Sequence, residues 1–404
     1  MTEKLYDTDA YLSEFEAKVI MIAKEQLQDK EYNVIILDRT AFFPEGGGQS
    51  SDTGKIADLD IFHVQETDGR ICHFVKEGET LNLKVGDEVT AGIDFSERFR
   101  KMQNHTAEHI LCGLIHNRFG YSNVGFHLSE ENVTFDIDGT FSDEEIAEIE
   151  RLANETVYRN VPVRVSFPSS EELMNIEYRS KLEMTENVRL VTIEGIDVCA
   201  CCAPHVSHTG EIGIIKIIDY FPHRGGTRFT MIAGSDAYKD YSALETINKK
   251  NMAVVSAKRY ETAVQVGRLD EKCRLLLSEN TTLKKRITQF TMDSIRSRIS
   301  GRDTSDTSPF LIFSDELDNV QMRTLINECV TGLDCIIAGF LGDDTKGYSF
   351  IIAKKEENEA VNLKAFVKDF TTNFSGKGGG SDIMVQGSVA AERKSIEEYM
   401  KTYH

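Results

Sequence analysis

No stretch of the sequence approaches eighteen uninterrupted apolar residues, and Met1-Thr2-Glu3-Lys4-Leu5-Tyr6 has neither a basic lead nor the apolar core of an export signal. The expectation is a soluble, cytoplasmic protein with no membrane partner. Cysteine is present but not spaced as a disulfide framework: of eight, three crowd between Cys199 and Cys202 and the rest are scattered. Basic residues are in deficit, 46 Lys and Arg against 66 Asp and Glu, for a net charge of -20. That balance opposes any hold on a polyanion by overall charge and requires local patches instead. Arg98, Arg100 and Lys101, with Arg224 and Arg228 around Gly225-Gly226-Thr227, are candidates for phosphate or terminal-nucleotide contacts; ordinary solvated charge is the alternative. Any such binding is expected to be modest and strongly salt-sensitive. Gly46-Gly47-Gly48-Gln49 lacks the G-x-x-x-x-G-K-[ST] pattern and a following helix, so it does not read as a nucleotide cradle.

What the chain does have is a split set of metal ligands. His105 and His109 fall one turn plus about 40° apart on a helix, so both imidazoles leave one face. About ninety residues later, Cys201-x3-His205 offers a thiolate and a third imidazole, a donor set that suits Zn²⁺ better than Mg²⁺ or Ca²⁺. His116 shares the face of His105 but lies about 16 Å along the axis, too far for the same ion. Glu108 directly precedes His109, which is not the HExxH order of metalloproteases; it reads as a general base, a partner to a ligand, or a surface carboxylate.

Leu37-Asp38-Arg39-Thr40-Ala41-Phe42-Phe43-Pro44-Glu45-Gly46-Gly47-Gly48-Gln49, then His105-x3-His109, then Cys201-x3-His205 before Thr209-Gly210-Glu211-Ile212-Gly213, resemble in content and order the editing domain of alanyl-tRNA synthetase. Gly376-Lys377-Gly378-Gly379-Gly380-Ser381 with Gln386-Gly387 resembles that synthetase's last domain, so the likeness is to the long form of the free-standing alanyl-tRNA editing proteins. The chain departs from the family's usual Cys-Gly-Gly-Thr-His with the stiffer Cys201-Cys202-Ala203-Pro204-His205. The resemblance implies a glycine loop beside the editing pocket, with Thr40 and Gln49 near it, and substrate contacts around Ser122 to His127. Asn123 or His127 could there read a small side chain's hydroxyl, a structural hydrogen bond being the other reading of His127. Lys377 and its glycines suggest a concave backbone surface for RNA, or a flexible turn. No Asp-His-His motif supports a two-metal phosphoesterase, and no class II synthetase signature suggests activation of alanine by ATP.

The organisation expected is α+β in four parts. Residues 1–95 read as a small β-barrel and 96–235 as the zinc-containing α+β domain, its histidine helix running from Ser96 to a stop at Gly120. Residues 236–300 read as a proline-free helical coiled-coil connector, with Leu269, Leu276, Leu283 and Phe290 every seven residues and Val266, Cys273, Asn280 and Ile287 offset. Residues 301–404 read as a C-terminal α/β domain. The function expected is hydrolysis of serine or glycine wrongly esterified to alanine tRNA, with bound Zn²⁺ and a possible homodimer through residues 236–404. A zinc-stabilised tRNA-binding module without turnover, and an RNA-free ester hydrolase, are the alternatives.

Overall fold

Alternation of apolar and polar residues puts every second side chain of the N-terminal strands on one face, and that face closes on itself. In this computed structural model, which describes residues 2–129, 133–180, 188–303 and 306–403, six antiparallel strands form a barrel in the order Glu14–Leu27, Lys30–Leu37, Arg70–Val75, Leu59–Thr67, Gly54–Ile56 and Glu88–Ile93. Phe42, Phe43, Leu37 and Ile56 fill it. The glycine loop leaves the barrel wall and joins the next sheet: Leu128 N–H donates to the Gly48 carbonyl at 2.7 Å and Ser50 N–H to that of Leu128 at 3.1 Å. Gly48 has φ +83°, and a Cβ there would lie 2.4 Å from the Phe126 carbonyl oxygen, so only glycine permits this approach.

The chain then enters the Phe95–Phe119 helix, which Asp94 caps by accepting from Glu97 N–H at 3.2 Å and Gly120, at φ 74°, ends. Buried residues occur on every side of it rather than in one stripe, because it packs against the strands Asn123–Leu128, Gly226–Ala233 and Asp197–Ala200 and the Asp143–Arg159 helix. At Gly113 a Cβ would come within 2.6 Å of the Ile196 carbonyl oxygen, so the missing side chain lets the Asp197–Ala200 strand lie against the helix. Two sheets complete this unit. One has the order Ile215–His223, Gly226–Ala233, Val133–Ile137, Asn123–Leu128; the other has the order Val163–Ser166, Leu190–Ile193, Asp197–Ala200.

The chain divides into two compact units, Met1–Lys250 and Asn251–His404. In the first, the Asp236 carboxylate accepts from Arg100 Nη1 at 2.8 Å and Asn104 Nδ2 at 3.0 Å, tying the start of the Ser235–Val255 helix to the histidine helix. The proline-free stretch is also not one helix. Ser256, in the left-handed region at φ 52°, follows the first, and a second runs Thr262–Ser300.

In the second unit the Thr262–Ser300 helix is anchored at its C-terminal end, where Ile295 enters a core with Phe310, Met322 and Ile337. Its seven-residue seam stays open to solvent: Leu269, Leu276 and Leu283 are about half exposed and Phe290 is 73% exposed. The five-stranded sheet has the order Phe310–Ser314, Ile337–Asp343, Gly347–Ala353, Met384–Val389, Lys377–Gly380. Its strands alternate with the helices Asn319–Cys329, Leu363–Asn373 and Arg393–Met400, and only its first pair is parallel. The Asp343 carboxylate accepts from Thr345 and Lys346 N–H, both at 2.9 Å, and closes a tight turn where a crossover helix would be needed for parallel pairing.

Candidate metal centre

Four donors from two distant segments meet beside the histidine helix. The ligating atoms of His105, His109, Cys201 and His205 all lie within 4.8 Å of one another. Cys201 Sγ is 3.3 Å from His205 Nε2 and 3.6 Å from His105 Nε2. A tetrahedral Zn²⁺ with ordinary bond lengths separates nitrogen and sulfur ligands by about 3.5 Å, so these spacings fit the ion.

Each histidine is oriented through its other nitrogen. His105 Nδ1 lies 2.8 Å from Gln49 Oε1, His109 Nδ1 3.0 Å from Asp197 Oδ2, and His205 Nδ1 3.0 Å from Thr106 Oγ1. The Thr106 hydroxyl donates to the Met102 carbonyl at 2.7 Å, so it can only accept from His205. Oxygen acceptors at all three Nδ1 positions fix the tautomer that leaves Nε2 for a metal. The cysteine loop is held as firmly, Arg189 Nη1 donating to the carbonyls of Cys201 at 2.8 Å and Ala203 at 2.9 Å.

The electrostatics suit ligation. Burial alone would raise the Cys201 thiol, but the His105 ring 3.6 Å away holds it well below the ordinary thiol range. Burial pushes His205 down to about 3, keeping it neutral. His109 is different: burial disfavours its charge, yet the bond to Asp197 outweighs that and raises it well above the usual value, so a metal there must displace a proton.

Three of the donors, His105, His109 and Cys201, line a cavity of about 1280 Å³ whose wall also includes Gly47, Gly48, Asn123, Phe126 and Tyr178. Phe126 covers the His105 ring with centroids 4.6 Å apart. Glu108 also faces the cavity. Its Oε1 accepts from Asn123 Nδ2 and, at 3.2 Å, from Cys112 Sγ, while Oε2 lies 3.9 Å from His109 Nε2. Gln49 is fully buried, and its Nε2 has no hydrogen-bond partner among the described residues.

Other candidates lie elsewhere. Thr40 is buried in the barrel, its hydroxyl 2.9 Å from His73 Nε2 and accepting from Phe42 N–H, and it is not part of the cavity wall. Arg98 is fully buried, forking onto Asp52 and donating to the Ala10 and Ala41 carbonyls. Arg100 pairs with Glu97 and Asp236, and Lys101 is buried with its ammonium donating to the Ser51 carbonyl at 2.6 Å. All three are buried and spend their charge on internal partners, against their reading as RNA contacts, because the stretch of helix that carries them is enclosed on every side. Arg228 makes a bidentate pair with Asp136, the residue opposite it in the sheet. Arg224, at the tip of the hairpin before Gly226–Ala233, and Lys377 are exposed. His127 is exposed on its strand, and His116, whose Nδ1 meets the Tyr121 carbonyl at 3.1 Å, is part of the cavity wall but not of the converging donor set. Asp197, Arg179, Arg189, Thr106 and Phe126 escaped sequence reasoning; the alternation Asp197-x-Cys199-x-Cys201 was the one local sign that Asp197 shares a strand face with the cysteines.

Residues 2–97 match the family model for class II (A) tRNA synthetases, and residues 188–233 that for the threonyl and alanyl tRNA synthetase second additional domain. The alanyl-tRNA editing protein AlaX-M of Methanosarcina mazei is 40% identical over 235 residues, covering 54% of this chain and 90% of that protein. The chain belongs to the alanyl-tRNA editing proteins. Its membership extends past the metal centre, since AlaX-L of Pyrococcus horikoshii aligns over 98% of this chain and 96% of its own length at 25% identity. The alanine--tRNA ligase of Methanococcus vannielii is 28% identical over 98% of the chain, which spans 43% of that enzyme. Both halves of the ligand set lie within the first unit, and no helix among the described residues is long and apolar enough to cross a membrane.

Proposed function

We propose that the chain is a cytoplasmic trans-editing deacylase that hydrolyses the ester joining serine or glycine to alanine tRNA, with Zn²⁺ held by His105, His109, Cys201 and His205. The observation that carries this reading is the convergence of three oriented imidazoles and one thiolate at the wall of a large cavity, which His105, His109 and Cys201 line, in a member of an alanyl-tRNA editing family. A site made for alanine excludes glycine poorly and rejects an added hydroxyl only weakly, so errors must be removed in a second pocket. When bound, Zn²⁺ supplies Lewis acidity to the ester or to water.

The chain's own residues divide the remaining work. Glu108 takes the proton-accepting role; in support, one carboxylate oxygen is fixed by Asn123 and Cys112 while the other faces the ligands. Asn123 orients that carboxylate from the cavity wall, and Gln49 holds the His105 ring. Thr40 is assigned to the barrel through its bond to His73. Arg224 and Lys377, both exposed, are the cations proposed to meet tRNA, and the open seam of the Thr262–Ser300 helix is where a second copy would join, with Asn280 setting register.

The test is a time course of amino acid release from Ser-, Gly- and Ala-tRNA(Ala) at enzyme well below substrate, with and without a zinc chelator and across salt. Turnover on the first two, lost with chelator and falling steeply with salt, is expected. Stoichiometric tRNA binding without release would leave only a zinc-stabilised binding module. Turnover indifferent to salt, and equal on an aminoacyl-adenosine mimic, would favour the RNA-free hydrolase.

A chain ending at Lys250 is expected to keep zinc and deacylate while losing tRNA affinity, seen mainly as a raised KM, because a tethered contact no longer concentrates substrate at the pocket. Ending it at Ala233 would instead remove Asp236 and leave buried Arg100 short of a partner. Unchanged KM and an unchanged number of subunits in solution for the Lys250 form would refute a role for residues 251–404 in either RNA binding or dimerisation.

A further inference from the structure

The three ring partners are not equivalent. Gln49 and Thr106 are neutral, whereas Asp197 is a buried carboxylate gripped from behind: Arg179 Nε donates to Oδ1 at 2.7 Å and Nη2 to Oδ2 at 2.8 Å. Residue 179 also acts through its backbone. Its N–H donates to the Val198 carbonyl at 2.8 Å and its carbonyl accepts from Ala200 N–H at 2.9 Å, which pins the outer edge of the strand leading to Cys201.

We propose that Arg179 is a positioning residue for the metal centre: through Asp197 it fixes the ring and tautomer of His109, and through its backbone it fixes the strand that delivers the thiolate. Asp197 has a second possible use, since His109, Asp197 and Cys199 bring donor atoms within 4.8 Å of one another. The guanidinium fork argues against a second ion there, because it engages both carboxylate oxygens and sets a cation where a metal would stand. The same geometry gives the cavity wall a link to the metal, as Glu177, Tyr178 and Arg179 all line the cavity. Such outer partners raise ligand basicity and pre-set orientation, and losing one usually costs about 10- to 100-fold in metal affinity.

This inference rests on the metal centre proposed above and not on the identity of the ester. Zinc affinity of the full-length protein is measured by competition with a chromophoric chelator for wild type, Asp197→Asn, Arg179→Gln and Arg179→Lys, alongside the absorption spectrum of each cobalt-loaded protein and the unfolding midpoint of each metal-free one. Expected are affinities about 10- to 100-fold lower for Asp197→Asn and about tenfold lower for Arg179→Gln, partial recovery in Arg179→Lys, and altered cobalt spectra with metal-free midpoints close to wild type. Should Asp197→Asn not fold, the Gln and Lys pair decides by itself. Wild-type affinity and spectrum in the variants would overturn the relay while leaving the metal centre standing, as would losses that follow only from a lower metal-free midpoint. A wild-type protein that binds no zinc would remove the centre itself, and the relay with it.

Discussion

Cys201→Ala is expected to abolish stoichiometric zinc and to cut deacylation more than about a hundredfold, since even partners one shell beyond a ligand cost about 10- to 100-fold. The thiolate is the only anionic donor of the four, and its charge is what the surrounding imidazoles stabilise. Cys202→Ala is the matched control. Cys202 Sγ lies toward the glycine loop, 3.4 Å from where a Cβ on Gly47 would stand, and it is not among the converging donors. Metal analysis of the two purified variants checks the assignment. Zinc retained in Cys201→Ala and lost in Cys202→Ala would show that the wrong thiol was chosen.

Arg98→Leu is expected to lower the stability of the metal-free protein by about 3–5 kcal/mol, the usual result of removing one member of a buried ion pair. The substitution strands Asp52, whose side chain is 1% exposed and which otherwise keeps only the Phe43 N–H at 2.7 Å. It also releases the Ala10 and Ala41 carbonyls, leaving the histidine helix tied to the preceding segment through Lys101 to Ser51 and His105 to Gln49. Denaturant unfolding followed by circular dichroism reads this directly. A variant with wild-type stability but weakened tRNA binding would restore Arg98 to the RNA surface.

These two residues mark the boundary of what the sequence could reveal. Cys201 was legible because ligand chemistry is written in residue type and short spacing: His105-x3-His109 and Cys201-x3-His205 carry their meaning locally. So do the ends of the histidine helix and the Ser142 box, where Ser142 and Glu145 cap each other's backbone at the start of Asp143–Arg159. Arg98, Arg100 and Lys101 were read as surface cations because their partners, Asp52, Asp236 and the Ser51 carbonyl, lie about 46 to 136 positions away in sequence. A basic run looks the same whether it meets solvent or buried carboxylates. Thr40 follows the same rule: its partner His73 lies 33 positions away, on the Arg70–Val75 strand of the barrel. The break at Ser256 and the antiparallel pairing of the C-terminal sheet depend on backbone angles and turn chemistry, which hydrophobic periodicity does not report.

The ligands' separation along the chain also orders events in time. His105 and His109 are made first, and at about 5–20 residues per second roughly another 5–20 s of synthesis passes before Cys201 and His205 exist. During that interval the preceding barrel, residues 14–93, is already complete and can receive Arg98 through Asp52. The nascent chain therefore carries a pre-seated histidine pair whose thiolate has not yet been translated. At the proposed centre, capture by all four donors is then open only to a chain translated past His205.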